Sequence, residues 1–108
     1  MASDIDLDID IDLDAIHKAL ANRMRREILA WLREPHAHFA EQELALVHGV
    51  SAGQIEARCD LAQSTVSAHL AALERAGLVT SNRIGQWAFF KRDERVIQLF
   101  LAHIKAQM

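Results

Sequence analysis

Between Ser51 and Gly77 the chain spells two short helices with only a tight turn between them, and no other stretch limits the fold as strongly. The segment Gln63-Ser-Thr-Val-Ser-Ala-His-Leu-Ala-Ala-Leu-Glu-Arg-Ala-Gly77 sets Val66, Leu70 and Leu73 at i, i+4 and i+7. That is helical spacing with one narrow apolar stripe, and Gly77 predicts a left-handed stop. Upstream, Ser51-Ala-Gly-Gln54 is a capping box, and Val50 and Ile55 occupy the positions of a hydrophobic staple. A helix therefore starts after Ser51 and runs about two turns, to Cys59 or Asp60. Two helices joined by so short a turn form a helix-turn-helix.

The second helix carries an unusual outer face. Opposite its apolar stripe lie Ser64, Ala68, Ala71 and Arg75, with Thr65 and Ser67 flanking them. A solvated helix face normally bears long charged side chains, whereas these are small and rich in hydroxyls, so another surface can approach closely. The major groove of DNA admits an α-helix and offers donors, acceptors and thymine methyls to such side chains. An alanine-rich surface helix is the bland alternative, and the capped helix just upstream weighs against it.

Charge supports that reading once its distribution is considered. The formal net charge of −3 looks wrong for a nucleic-acid binder, yet six of the fifteen acidic residues are the aspartates between residues 4 and 14. The remainder holds twelve basic residues against nine acidic. From Leu61 to Arg92 the one acid, Glu74, faces Arg75, Arg83, Lys91 and Arg92, a mildly basic region. The length of 108 residues and 51% hydrophobic content fit one domain with a modest core. No apolar run approaches the ~20 residues of a membrane span. The start, Met-Ala-Ser-Asp, lacks a signal-peptide pattern, and one cysteine builds no disulfide framework. A cytoplasmic location is expected.

The rest of the chain fits around this centre. Residues 4 to 14 alternate Asp with Ile or Leu, and six crowded aspartates repel one another and disfavour helix. Residues 1–12 are therefore expected to form an acidic arm, and residues 13–108 the domain. A first helix is predicted over about Asp14 to Ala21, with Ile16 and Leu20 inward. Asn22 caps a second, Arg23 to about Arg33, with Met24, Ile28, Leu29 and Leu32 in the core and Pro35 marking its end. Residues 36 to 50 show no clean period, apart from a short strand expected at Val47 to Val50. Leu78 to Lys91 reads as two strands about a turn at Ile84-Gly85. Asp93 caps a last helix whose broad apolar face of Val96, Ile97, Phe100, Leu101 and Ile104 is more than so small a domain hides. Self-association is its natural outlet.

Helices, a helix-turn-helix, a two-stranded hairpin and a final helix make a mostly α winged helix. With Ala19-Leu-Ala-Asn-Arg-Met-Arg-Arg-Glu-Ile-Leu29, Gln63-Ser-Thr-Val-Ser-Ala-His-Leu70 and Ala76-Gly-Leu-Val79 before an aromatic wing, the chain resembles the ArsR-type (arsenical-resistance-repressor-like) winged-helix regulators. The resemblance spans about Asp14 to Ile104. It implies a homodimer formed by the first and last helices, repressing transcription until an effector weakens DNA binding. The chain departs from the family pattern at Arg23-Met24, where Pro-Thr is usual, and at Ala62, where a capping Ser is frequent. Residues 35 to 50 also look longer than the usual connection.

Other chemistry is poorly supported. Cys59, four residues after Ile55, packs as a small hydrophobe. The family's thiolate sensors resemble Cys-x-Cys-Asp-Leu here, whereas this chain reads Ala57-Arg58-Cys59-Asp60-Leu61, and one sulfur makes no soft-metal site. His36, His38 and His48 with Glu41 and Glu43 match no closed ligand spacing, and the last helix offers only Asp93, Glu94 and His103. His69, beside the core stripe, reads as a structural hydrogen-bonding residue. No acid–base pair, activated nucleophile or phosphate loop is present, so neither an enzyme nor a cofactor is expected.

The resulting expectation is a homodimeric winged-helix repressor bound to double-stranded operator DNA, with an inverted repeat as its site. Ser64, Thr65, Ser67 and Ala68 meet base edges, and Gln63 pairs with adenine. Arg75 faces phosphate, while Arg83, Gln86 and Lys91 on or near the wing contact backbone or minor groove. A small-molecule effector is implied by the family but not identified. Two rivals stay open: a winged-helix module that binds protein and does not read DNA, and a repressor gated by metal or thiol chemistry.

Overall fold

Capping side chains fix where most helices begin. In the computed structural model, which describes residues 10–39 and 46–108, α1 spans Leu13–Leu20 and α2 spans Arg23–Arg33. The Asp12 carboxylate accepts from the Ala15 amide at 3.0 Å, and the Asn22 side chain from the Arg25 amide at 3.1 Å. Asp12, expected in the arm, is thus the cap of α1, and Ile11 beside it packs against the core. Residues 1–9, most of the expected arm, and Glu41, Glu43 and Leu44 lie outside the described residues.

Pro35 does end α2, but it also starts a four-residue helix, α3 (Pro35–His38), because a fixed φ and a missing amide suit a first helical position. The strand expected at Val47 to Val50 is mostly a 3-10 turn, Leu46–His48, followed by a two-residue β1, Val50–Ser51. Val47 is 69% exposed. The period was unreadable because so short a strand has no alternation to show.

Ser51 then caps α4 (Ala52–Cys59), accepting from the Gln54 amide at 3.2 Å, with the staple residues Val50 and Ile55 buried. Asp60 closes α4 in the left-handed region at φ 56°, which a short polar side chain tolerates. The next helix, α5 (Gln63–Arg75), starts from Ala62 with no side-chain cap. Its far end is a Schellman motif: the Gly77 amide (φ 81°) donates to the Glu74 carbonyl at 2.9 Å and the Leu78 amide to the Leu73 carbonyl at 3.0 Å.

The wing pairs β2 (Val79–Ile84) with β3 (Trp87–Arg92) from Val79↔Arg92 to Ile84↔Trp87. Gly85, at φ 61°, is the first of the two turn residues, where hairpins favour glycine. β1 pairs on the other side of β3, Val50↔Phe90, giving the antiparallel order β1-β3-β2. Last comes α6 (Glu94–Gln107), capped by Asp93 through the Val96 amide at 3.2 Å.

The core lies where α1, α2, α4 and α5 converge over the sheet. Ile16, Ala19, Ile28, Leu32, Ile55, Val66, Leu70, Leu73, Leu78 and Val79 are buried there, with Ile97 and Phe100 of α6. Two inward expectations shift: Ala19 is buried where Leu20 was expected, and Leu20 and Met24 are only partly covered. Among the described residues no helix is long and apolar enough to cross a membrane.

The bare start of α5 yields a test. Ala62 has φ −60° and ψ 146°, the backbone of a normal N-cap, so a serine there can bond to the next free amides without rearrangement. Ala62→Ser is expected to stabilise the protein by about 1 kcal/mol. Thermal melts should rise by roughly 5 °C, and an unchanged midpoint would show that the cap position is not limiting.

Candidate nucleic-acid interface

The Val66-Leu70-Leu73 stripe turns α5 so that its opposite side faces solvent. Val66 and Leu73 are fully buried and Leu70 nearly so. As a consequence Gln63, Ser64, Thr65, Ser67, Ala68 and Arg75 are all exposed on one element. Arg83 and Gln86 are exposed at the outer end of the hairpin. Lys91 is also exposed, but it sits at the hairpin base opposite Thr80, with its stem beside Gly49. Of the nine sequence-predicted residues, it stands apart from the others.

The wing is fixed to α5 by the Ser81 hydroxyl, which donates to Glu74 Oε2 at 2.7 Å. Glu74, the one acid of the region, is therefore partly spent on placing the wing. Arg92 plays a part the charge count did not show. Its Nε and Nη2 reach both Glu94 oxygens, at 2.8 and 3.1 Å, and Nη1 donates to the Leu29 carbonyl at 3.3 Å. It joins β3, α6 and α2 instead of adding to an open basic face.

The structural role expected of His69 has its partner in Arg25 of α2, forty-four residues away in the chain. Arg25 Nε donates to His69 Nδ1 at 3.1 Å, so the imidazole accepts there and is neutral. Burial lowers the His69 pKa, and the Arg25 guanidinium lowers it further. Between that lowered value and the ordinary value of about 6.5, the unfolded chain binds more protons than the folded one. This stability is therefore full above about pH 6.5 and is lost as pH falls toward the lowered value. Thermal melts between about pH 7.5 and 5.5 should show a loss that His69→Gln, which keeps an acceptor for Arg25, reduces. Equal losses in both proteins would remove His69 from the account.

The sensing candidates fare differently. Cys59 is 7% exposed in the core cluster, and burial pushes its thiol pKa up, with Glu27 and Glu56 adding to the effect. Such a thiol is a poor nucleophile at neutral pH. Cys59→Ser should cost about 1–3 kcal/mol by placing a hydroxyl on an apolar face, while DNA affinity measured well below the melting range stays unchanged. An affinity change with no change in melting would reverse that assignment. His36 and His38 lie on the short α3 and not on an extended segment. The His38 carbonyl accepts from Arg58 Nη1 at 3.1 Å, and the Arg58 guanidinium lies 4.7 Å from the Trp31 ring centre. Among the described residues no three of His, Cys, Asp and Glu gather as a metal site.

A capped helix, a left-handed turn, an exposed small-residue helix and a β-hairpin beside it define a winged helix-turn-helix DNA-binding domain. The comparisons with known proteins agree. Residues 48–82 match the helix-turn-helix domain family. The HTH-type transcriptional regulator YbzH of Bacillus subtilis (strain 168) is 40% identical over 95 residues, covering 86% of this chain and 95% of that protein. Among solved structures, HlyU from Vibrio cholerae N16961 superposes with TM-score 0.57 at 30% identity, over 87% of this chain and 90% of that one. The homodimeric winged helix-turn-helix domain of Mb0332 from Mycobacterium bovis, a possible ArsR-family regulator, does so with TM-score 0.61 at 29% identity, over 87% and 77%. This chain belongs to the ArsR-type winged helix-turn-helix transcriptional regulators.

Proposed function

We propose that the protein is a homodimeric repressor that reads an inverted-repeat operator through α5. The observation that carries this reading is the uninterrupted exposure of Gln63, Ser64, Thr65, Ser67 and Ala68 on a helix anchored by three buried apolar residues. Short hydroxyl and methyl side chains there meet base edges, and Gln63 at the helix start pairs with adenine. Arg75 contacts phosphate, and Arg83, Gln86 and Lys91 supply backbone or minor-groove contacts from the wing.

The dimer reading rests on α6, whose Leu101 is 51% exposed beside partly covered Val96 and Ile104. α1 lies alongside, with the His17 and Phe100 rings edge to face at 5.3 Å. A second copy covers these apolar groups and sets two α5 helices about one turn of DNA apart, ~34 Å, or a multiple of it. Bound across a promoter, such a dimer excludes polymerase until an effector lowers its affinity, and that effector has no assigned pocket. A cytoplasmic location accords with these partners.

Sequencing the duplex fragments retained by purified protein, followed by footprinting, tests the reading. Paired half-sites and a salt-dependent affinity are expected. A single unpaired half-site, or a monomer in sedimentation at binding concentrations, overturns the dimer. An affinity for duplex that does not fall with salt overturns DNA reading in favour of a protein-binding module. Arg83→Ala should weaken binding to all sequences and reduce the salt slope by about one unit.

A further inference from the structure

A basic groove runs along the side of α5 that faces away from the wing. Lys18 of α1, Arg25 of α2 and Arg75 of α5 rim it, and its floor is made of alanines, Ala15, Ala19 and Ala72 among them. Its volume is about 360 Å³, and none of its lining residues is acidic. Methyl groups as the floor leave the cations approachable. The Lys18 side chain is exposed and makes no hydrogen bond or ion pair among the described residues. Arg25 is held by one nitrogen, Nε on His69, which leaves its two terminal amino groups as donors in the guanidinium fork.

Position along the helix gives the groove its meaning. At 3.6 residues per turn, Ser64, Ala68 and Arg75 form one line down α5. Glu74, bonded to the wing through Ser81, falls to one side of that line. Ala72 falls to the other, against α1 and α2. A helix seated in a major groove about 12 Å wide lies between two sugar-phosphate strands. With α5 so seated, the side of the helix bearing the wing and the side bearing Lys18 and Arg25 would face opposite strands.

We infer that Lys18 and Arg25, joined by Arg75, form a second phosphate clamp that grips the DNA backbone across the major groove from the wing, an inference that rests on the DNA reading proposed above. Phosphate contacts fix the register of a reading helix without carrying sequence information. The His69–Arg25 bond ties the clamp to the reading helix, so the guanidinium arrives oriented when α5 docks. A freely diffusing anion would meet two exposed cations and the half-buried Arg25 around an open groove, a setting that holds ions weakly, whereas docking of α5 delivers the phosphate to them.

The test compares the slope of log Kd against log salt for the wild type, Lys18→Gln, Lys18→Glu and, as a control, Lys105→Gln at the far end of α6. Lys18→Gln should lower the slope by about one unit on both selected and unrelated duplex. Lys18→Glu should lower it at least as much, and Lys105→Gln should leave it unchanged. Both sites, Lys18 and Lys105, are exposed, so melting temperatures should match and folding will not obscure the result. A wild-type slope in both Lys18 variants overturns the clamp while leaving DNA reading by α5 intact. No salt dependence in the wild type removes the DNA reading and the clamp with it. Saturable binding of inorganic phosphate to the DNA-free protein, abolished by Lys18→Gln, overturns the assignment to DNA backbone and makes the groove a free-anion site.

Discussion

Ser64→Arg is expected to reduce affinity for the selected duplex to the level of unrelated sequence, a loss on the order of a thousandfold or more. Ser64 lies on the exposed line of α5 with Ala68 and Arg75, one turn from Ala68. Its hydroxyl is short enough to leave the backbone of the helix close to the base edges. An arginine there projects a long cation into that space and holds the helix off the bases, so the hydroxyls of Thr65 and Ser67 and the methyl of Ala68 lose reach. The added charge still attracts phosphate, so binding to arbitrary duplex should persist or strengthen. Because residue 64 is exposed, the fold should not suffer. Competition binding between selected and scrambled duplex, beside a thermal melt, measures both effects. Retained preference for the selected duplex would place sequence reading elsewhere than the small-residue face.

Gly49→Ala is expected to act on the fold instead, and strongly. Gly49 has φ +109°, a region that residues with a Cβ rarely enter. A Cβ built there would lie 2.7 Å from the Phe90 carbonyl oxygen, 3.0 Å from its carbon and 2.9 Å from Lys91 Cγ. The lysine stem can move aside. The Phe90 backbone cannot, since it is paired with Val50 and holds β1 on the sheet. Backbone strain and the clash together should cost on the order of 3 kcal/mol or more, a drop of roughly 10 °C or more in melting temperature. β1 leads directly into the Ser51 cap of α4, so DNA binding should fail with the fold and recover on cooling. A melting midpoint within about 1 °C of wild type would mean that β1 can shift without loss.

These two positions show how differently the chain discloses itself. Ser64 was legible because α5 carries a strong periodic signal, in which Val66, Leu70 and Leu73 fix which side is buried and therefore which is not. The caps at Asn22, Ser51 and Asp93 were equally legible, since each bonds an amide three residues on, a purely local event. The hairpin followed from alternation around Gly85. Family resemblance reached the same architecture from the 19–29 and 63–70 motifs.

What the sequence determined by itself was therefore much of what neighbours within about one helical turn govern: the capped starts at Asn22, Ser51 and Asp93, the stop at Gly77, the buried stripe, the exposed face and the class of partner it suits. Tertiary structure alone decided what depends on residues far apart in the chain. Arg25 meets His69 across forty-four positions and Arg92 meets Leu29 across sixty-three, so one basic residue lines an open groove and the other is drawn into the fold. Gly49 is constrained by the backbone of β3 as well as by its own positive φ, and Lys18 joins Arg75 because α1 packs on α5. A lysine or arginine has the same formal charge wherever it sits, and only packing decides whether that charge faces DNA or a carbonyl of the protein itself.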